Sequence, residues 1–150
     1  MLRLGVVTPI GPVILTEEDG AIVSVRWGEG GVDHSNLLDE AAAQIAAYFA
    51  ADSTGFDLPL RVDGSGFQKD VCRVMQAIPF GETRTYGDIA RDLGVSAQAV
   101  GQACGANPIP LLIPCHRVLG ASSLGGFSAP GGVETKVWLL RHEGAAGLLI

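Results

Sequence analysis

Near residue 30 the hydrophobic pattern of this chain changes period, and that change constrains the fold more than any single residue does. Before it, Leu2–Val7, Val13–Thr16 and Ala21–Trp27 are rich in β-branched and apolar residues and read as antiparallel strands. Asp19-Gly20 supplies the hairpin signal between the second and third. A Gly- and Asp-containing loop covers Gly28–Ser35. Beyond it, Leu37, Leu38, Ala41, Ile45, Tyr48 and Phe49 recur at helical spacing over Leu37–Ala50. A short run of hairpins followed by helices predicts an α+β fold, with a small antiparallel sheet preceding a mainly helical part. The loop-like stretch Ala51–Gly64, with Gly55, Pro59 and Gly64, marks a boundary. It separates a sheet-plus-helix unit over residues 1–62 from a second unit over residues 63–150.

The second unit opens with a helix capped by Ser65 and lined along one face by Phe67, Val71, Val74, Met75 and Ile78. Pro79-Phe80-Gly81 ends it. Thr85–Leu93, Gly94 and Ser96–Ala106 then read as helix, tight turn, helix. Ala90, Gly94 and Val100 fall at the small, turn and core positions of a helix-turn-helix unit. The second of these helices is built from tiny residues: Ala97, Ala99, Gly101, Ala103 and Gly105. A helix made to read the major groove would carry Arg, Asn or Gln toward the base edges. Small residues let a backbone approach a narrow surface such as the minor groove, or pack tightly on another helix; both readings stay open on composition alone. A last helix is expected over Val133–Glu143, with Val137, Trp138 and Leu140 inward.

The chemistry of the chain concentrates in Ile113-Pro114-Cys115-His116-Arg117-Val118, which follows the apolar run Leu111-Leu112-Ile113. A thiol is a strong nucleophile only as its thiolate, and a neighbouring imidazole can generate it. Pro114 removes a backbone donor, so Cys115 is expected at the end of a strand-like run. Cys72, Cys104 and Cys115 are an odd number with no CxxC pair, which argues against a disulfide framework or a zinc ribbon and suits a reducing cytoplasm. Cys72 and Cys104 sit among apolar neighbours and read as packing residues. No apolar run reaches membrane-span length, and Met1-Leu2-Arg3 is followed by alternation, not by the apolar core of a signal peptide.

The net charge of −6 opposes a nucleic-acid partner at first sight. Its distribution is uneven, however. Two basic residues face nine acidic ones up to residue 60, whereas eight face seven beyond it. The second unit is near neutral, so nucleic-acid binding by it should depend weakly on electrostatics.

Taken together, Ile78-Pro79-Phe80-Gly81, Thr85-Tyr86, Ala99-Val100-Gly101, Asn107-Pro108, the Pro114–Val118 core, and Lys136 to Glu143-Gly144 resemble the O6-alkylguanine-DNA alkyltransferases. The resemblance spans residues 67–144 and implies direct-reversal repair of duplex DNA in a single, irreversible transfer. Cys115 would take the O6-alkyl group, with His116 as general base through a water and Glu143 holding the imidazole tautomer. The target atom lies in the base stack, so the nucleotide must be flipped out, with Tyr86 aiding rotation and donating to the guanine. Ala97, Gln98, Ala99 and Gly101 would lie toward the DNA minor groove. Phe127, the backbone donor of Ser128 and the carbonyls of Cys115 and Val118 would contact the base. Asn107 and Arg117 would support the site.

The chain also departs from the family pattern. Gln98 stands where the family usually has an arginine that fills the gap left by the flipped base, and Phe127 where a tyrosine is common. The loop Gly125–Gly132 is slightly long. No cysteine precedes Cys72, so no zinc is expected in the first unit, and no cofactor is implied. The partner implied is double-stranded DNA carrying O6-alkylguanine, met by a cytoplasmic monomer without membrane association. Two other functions compete: lesion binding without transfer, and a Cys-His thiol hydrolase. The reactive cysteine counts against the first. The second needs an oxyanion hole that the sequence does not display.

Overall fold

A computed structural model describes residues 1–145, and its architecture is α+β. The chain divides into two compact units. The first comprises Met1–Asp63 with Pro108–Leu112, and the second comprises Gly64–Asn107 with the chain from Ile113 onward. The second unit is therefore interrupted: the chain leaves it after Asn107 and re-enters it at Ile113.

In the first unit, β1 (Leu2–Val6), β2 (Val13–Glu18) and β3 (Ala21–Trp27) form an antiparallel sheet in that order. Asp19 and Gly20 both have positive φ, 51° and 79°, as the tight β2–β3 hairpin requires. Alternation decides which residues of β2 face inward, and a register shift opposite Thr16 and Glu17 lets β3 bury two residues three apart. Val13 and Leu15 of β2 and Ile22 and Val25 of β3 are buried beneath α1 (Asn36–Phe49). Ser35 caps α1 by accepting from the Leu38 amide at 3.0 Å. Leu38, Ala41, Ile45 and Tyr48 are the buried stripe of this helix, and each fully buried Leu or Ile contributes about 1.5–3 kcal/mol. Two remote segments extend β3: Ile22 pairs with Leu60, and the Val25 amide donates to the Pro108 carbonyl at 3.1 Å.

The second unit holds α2 (Gly66–Gln76), β4 (Arg84–Thr85), α3 (Tyr86–Leu93), α4 (Ala97–Gly105), a single 3-10 turn (Cys115–Arg117), β5 (Val118–Leu119) and α5 (Val133–His142). Each of the first three helices has its own polar start. Ser65 and Ser96 accept from the third amide onward, and Thr85 with Asp88 forms a reciprocal capping box. Gly94 ends α3 at φ 67°, a left-handed position that glycine adopts without strain, and this turn sets α4 against α3. Gln68 of α2 donates to the Ala103 carbonyl of α4 at 2.9 Å, joining the third helix to the pair.

Three expectations are corrected here. The apolar run Leu111-Leu112-Ile113 is not strand-like: Leu111 has φ 72° and the run is a turn. Cys115 consequently opens a 3-10 turn and does not end a strand. Trp138 does not point inward; it is 37% exposed and stacks on His142, while the buried positions of α5 are Lys136, Leu139 and Leu140. Lys136 takes the inner position because its ammonium finds the Val118 and Gly126 carbonyls there. The tail from Gly144, for which no role was read, falls mostly on residues 146–150, outside those described. No helix among the described residues is long and apolar enough to cross a membrane.

Candidate active site

Local backbone geometry brings the site together. The parallel pair β4–β5 aligns Arg84 with Val118 and Thr85 with Leu119. Tyr86 begins α3 directly after β4, the Cys115–Arg117 turn ends directly before β5, and Tyr86 and Cys115 line one cleft. Asn107 and Ile113, the exit and re-entry points of the unit, are fastened by the Asn107 side-chain amide donating to the Ile113 carbonyl at 2.9 Å. The Cys115 amide in turn donates to the Ile113 carbonyl at 2.8 Å, across Pro114. A cleft of about 340 Å³ opens on Cys115 and is lined by Tyr86, Gly101, Cys104, Gly105, Gly126, Phe127 and Ser128.

Cys115 is 8% exposed, and burial pushes its pKa up to about 11, against a hydrogen bond from Asn107 and the positive charge of Lys136. At neutral pH the resting group is therefore a thiol, and a base must remove its proton during reaction. His116 is fully buried, and desolvation lowers its pKa despite the carboxylate beside it, so the ring is neutral. Its Nε2 lies 2.8 Å from Glu143 Oε2. Glu143 also accepts from Arg117 Nε at 2.8 Å and Nη2 at 3.0 Å, a forked ion pair that keeps it a carboxylate. A carboxylate accepts only, so Nε2 carries the imidazole proton and Nδ1 carries the lone pair. His116 Nδ1 is buried and has no hydrogen-bond partner among the described residues. An unengaged basic nitrogen one residue from a thiol is the arrangement general-base catalysis needs. Arg117 is itself anchored, donating from Nη1 to the Ile78 carbonyl at 2.7 Å and lying over the Phe80 ring.

Lys136, which the sequence marks only as part of a motif, has a defined place in the site. It is fully buried, with Nζ donating to the Val118 carbonyl at 2.6 Å and the Gly126 carbonyl at 3.1 Å, and lying 5.8 Å from the Tyr86 ring centre. Burial lowers its pKa to about 8, opposed by the two nearby thiols. At neutral pH it is still mostly an ammonium, so it stabilises negative charge at Cys115 and ties β5 to the cleft loop. The sequence carries no signal for it, because the expected inward face of α5 (Val137, Trp138, Leu140) leaves Lys136 outside the core.

Tyr86 has a raised pKa, chiefly through burial, so its hydroxyl stays protonated and able to donate. Gly125, at φ 73°, lies so close that a Cβ would stand 2.5 Å from the Tyr86 hydroxyl. Ser128 Oγ donates to the Gly105 carbonyl at 3.2 Å, joining the cleft loop to α4. Phe127 meets the His116 ring edge-on at 6.5 Å. Ala97 and Gln98 are exposed on the first turn of α4, Ala99 is half-buried, and Gly101 reaches the cleft. The Val118 carbonyl already accepts from Lys136, which leaves its second lone pair for any other donor. Cys104 is buried and contacts Met75 Sδ at 3.6 Å, but it also lines the cleft, which its reading as a packing residue did not anticipate. Among the described residues no group of three or more His, Cys, Asp and Glu could hold a metal ion.

The family model of the 6-O-methylguanine DNA methyltransferase DNA-binding domain matches residues 66–145. A methylated-DNA–protein-cysteine methyltransferase of Methanosarcina acetivorans is 38% identical, covering 92% of this chain and 95% of its own. One from Mycolicibacterium paratuberculosis is 41% identical over 91% of this chain and 88% of its own. The crystal structure of Mycobacterium tuberculosis OGT in complex with DNA superposes with a TM-score of 0.86 at 38% identity, covering 96% of this chain and 93% of that one.

Proposed function

The chain belongs to the 6-O-methylguanine DNA methyltransferase family, and from that premise we propose how the residues around Cys115 act. The reaction is direct-reversal DNA repair: the O6-alkyl group of guanine passes irreversibly to a cysteine sulfur of the protein, once per molecule.

Cys115 is the acceptor. His116 Nδ1 takes the thiol proton through a bridging water, and the thiolate attacks the alkyl carbon in line with the C–O6 bond. That bond breaks and its electron pair goes to guanine O6. Tyr86 donates a hydrogen bond to the departing base and lowers the cost of the charge developing on it. Glu143 and Arg117 hold the His116 tautomer; they are positioning residues. Lys136 offsets part of the burial penalty on the thiolate. The Ser128 amide and the carbonyls of Cys115 and Val118 orient the guanine, and Phe127 forms the cleft wall. Asn107 keeps the turn before Cys115 in register.

The protein meets duplex DNA as a monomer from the minor-groove side through α4, with Ala97, Ala99 and Gly101 permitting close approach and Gln98 entering the space left by the flipped nucleotide. Residues 63–150 carry binding and transfer, residues 1–62 support them, and no cofactor takes part. Three reduced thiols suit the cytoplasm.

The observation that carries this reading is the Nδ1 of a buried, neutral His116, unpartnered among the described residues and next in the chain to the buried Cys115 thiol. Its test is Cys115→Ala and Cys115→Ser: transfer of label from an O6-methylguanine duplex is lost in both, with circular dichroism unchanged. Stoichiometric transfer by a folded Cys115→Ala protein refutes it. Lesion binding without transfer is disfavoured by the same cysteine.

A further inference from the structure

Helix α4 has only two long side chains outside the core, and one of them has no role so far. Val100, Ala103 and Cys104 are buried, and the rest of the helix is Ala, Gly, Gln98 and Gln102. Gln98 and Gln102, and Gly101 and Gly105, are each four residues apart, so the two pairs form adjacent rows on one side of the helix. Gly101 and Gly105 line the cleft that holds Cys115. Gln98 and Gln102 are exposed. Nothing lies within 4 Å of the position a Gly101 Cβ would take, so the mouth of the cleft beside the two glutamines is open.

Charge is scarce around these rows. Arg73, Arg84 and Arg91 are each engaged by an aspartate, Asp70, Asp92 and Asp88 respectively. Arg117 and Lys136 are buried. Any side-chain contact that α4 makes with DNA therefore falls on two neutral amides.

We infer that Gln102 is a second DNA-positioning residue, acting one helical turn beyond Gln98 along the same edge of the cleft mouth; this rests on the reading of Cys115 as the alkyl acceptor. Four residues of helix advance about 6 Å, and one step along a DNA strand is about 3.4 Å. The pair therefore spans about two nucleotide steps along the strand, beside the path a flipped nucleotide takes past Gly101 and Gly105 into the cleft. A glutamine amide suits the minor-groove floor: Nε2–H₂ donates to A N3 or T O2, and Oε1 accepts from G N2. Gln102 grips the edge of a neighbouring base pair while the target leaves the stack.

The experiment compares single-turnover transfer from an O6-methylguanine duplex with transfer from free O6-benzylguanine, whose benzylic carbon is a reactive electrophile that needs no duplex. Exposed Gln→Ala on a helix raises helix propensity, so Gln102→Ala folds. It is expected to slow duplex transfer about tenfold, the loss of a hydrogen-bonded contact, with the free-base rate unchanged. Gln102→Lys is expected to steepen the dependence of log affinity on log salt by about 0.9, because the longer, charged side chain reaches past the base edge to the flanking phosphate. An unchanged duplex rate in Gln102→Ala, an unchanged salt slope in Gln102→Lys, or an equal loss on the free base overturns the proposal. Absence of transfer from both substrates in the unaltered protein overturns the reading of Cys115, and this proposal with it.

Discussion

Replacing Glu143 by glutamine isolates the link between the His116 tautomer and the rate. The carboxylate accepts from three donors: His116 Nε2, Arg117 Nε and Arg117 Nη2. Glutamine keeps the shape and offers one accepting oxygen. With that oxygen toward His116, its NH₂ faces Arg117 Nε–H, donor to donor. With the amide reversed, the NH₂ faces the imidazole, which relieves the clash only by moving its proton to Nδ1, and the base is lost. Either way a buried guanidinium loses its counter-charge, at a cost of about 3–5 kcal/mol of stability. A mispositioned or mis-tautomerised base costs about 10²–10⁴ in rate.

The assay is single-turnover transfer from a lesion duplex at low temperature, where circular dichroism confirms folding, repeated across pH. The buried Cys115 thiol, at about 11, must then ionise without help. The residual rate of the variant should therefore rise about tenfold per pH unit from neutrality toward pH 10, while the unaltered protein shows a far flatter profile. A folded Glu143→Gln protein with the original rate at pH 7, or with a flat profile, refutes the assignment of Nδ1 as the base.

Two further predictions rest on the same unit. Lys136 has its folded pKa lowered from 10.5 to about 8, so carrying its charge costs the folded state stability below pH 8, and this cost is relieved as pH rises toward 10.5. Urea titrations at pH 7, 8 and 9 should show unaltered protein gaining on Lys136→Met by up to about 1.4 kcal/mol per pH unit above pH 8, a ceiling set by one proton; parallel pH curves would count against a buried ammonium. Gly125→Ala places a methyl 2.5 Å from the Tyr86 hydroxyl at a φ of 73°, which should displace the ring and slow duplex transfer more than about tenfold. In a Tyr86→Ala background the same change should add little, and additive losses would show that Gly125 acts elsewhere.

Much of the frame was legible because it is locally encoded. Ser35, Ser65 and Ser96 mark helix starts, Asp19-Gly20 a hairpin and Gly94 a helix stop, and each depends on a residue's own backbone preference or its reach to the next amide. The Cys115-His116 pair was legible because a thiol beside an imidazole has a chemical meaning before any fold is known. What escaped depends on distant partners. Lys136 sits at a core position for the sake of two carbonyls, 18 and 10 residues away. The turn at Leu111 and the short β4–β5 pairing have no periodic signature, and the return of Pro108–Leu112 to the first unit rests on a hydrogen bond to Val25, far upstream. Trp138 was placed inward by its apolarity alone, although its broad ring finds a partner in His142 at the surface.

Intact-protein mass spectrometry after incubation with an O6-methylguanine duplex, followed by peptide mapping, tests the central claim most directly. The account predicts a gain of one methyl group per molecule, on Cys115 and on neither Cys104 nor Cys72, with no second turnover. An unchanged mass in folded, reduced protein, or the methyl group on Cys104 within the same cleft, would contradict it.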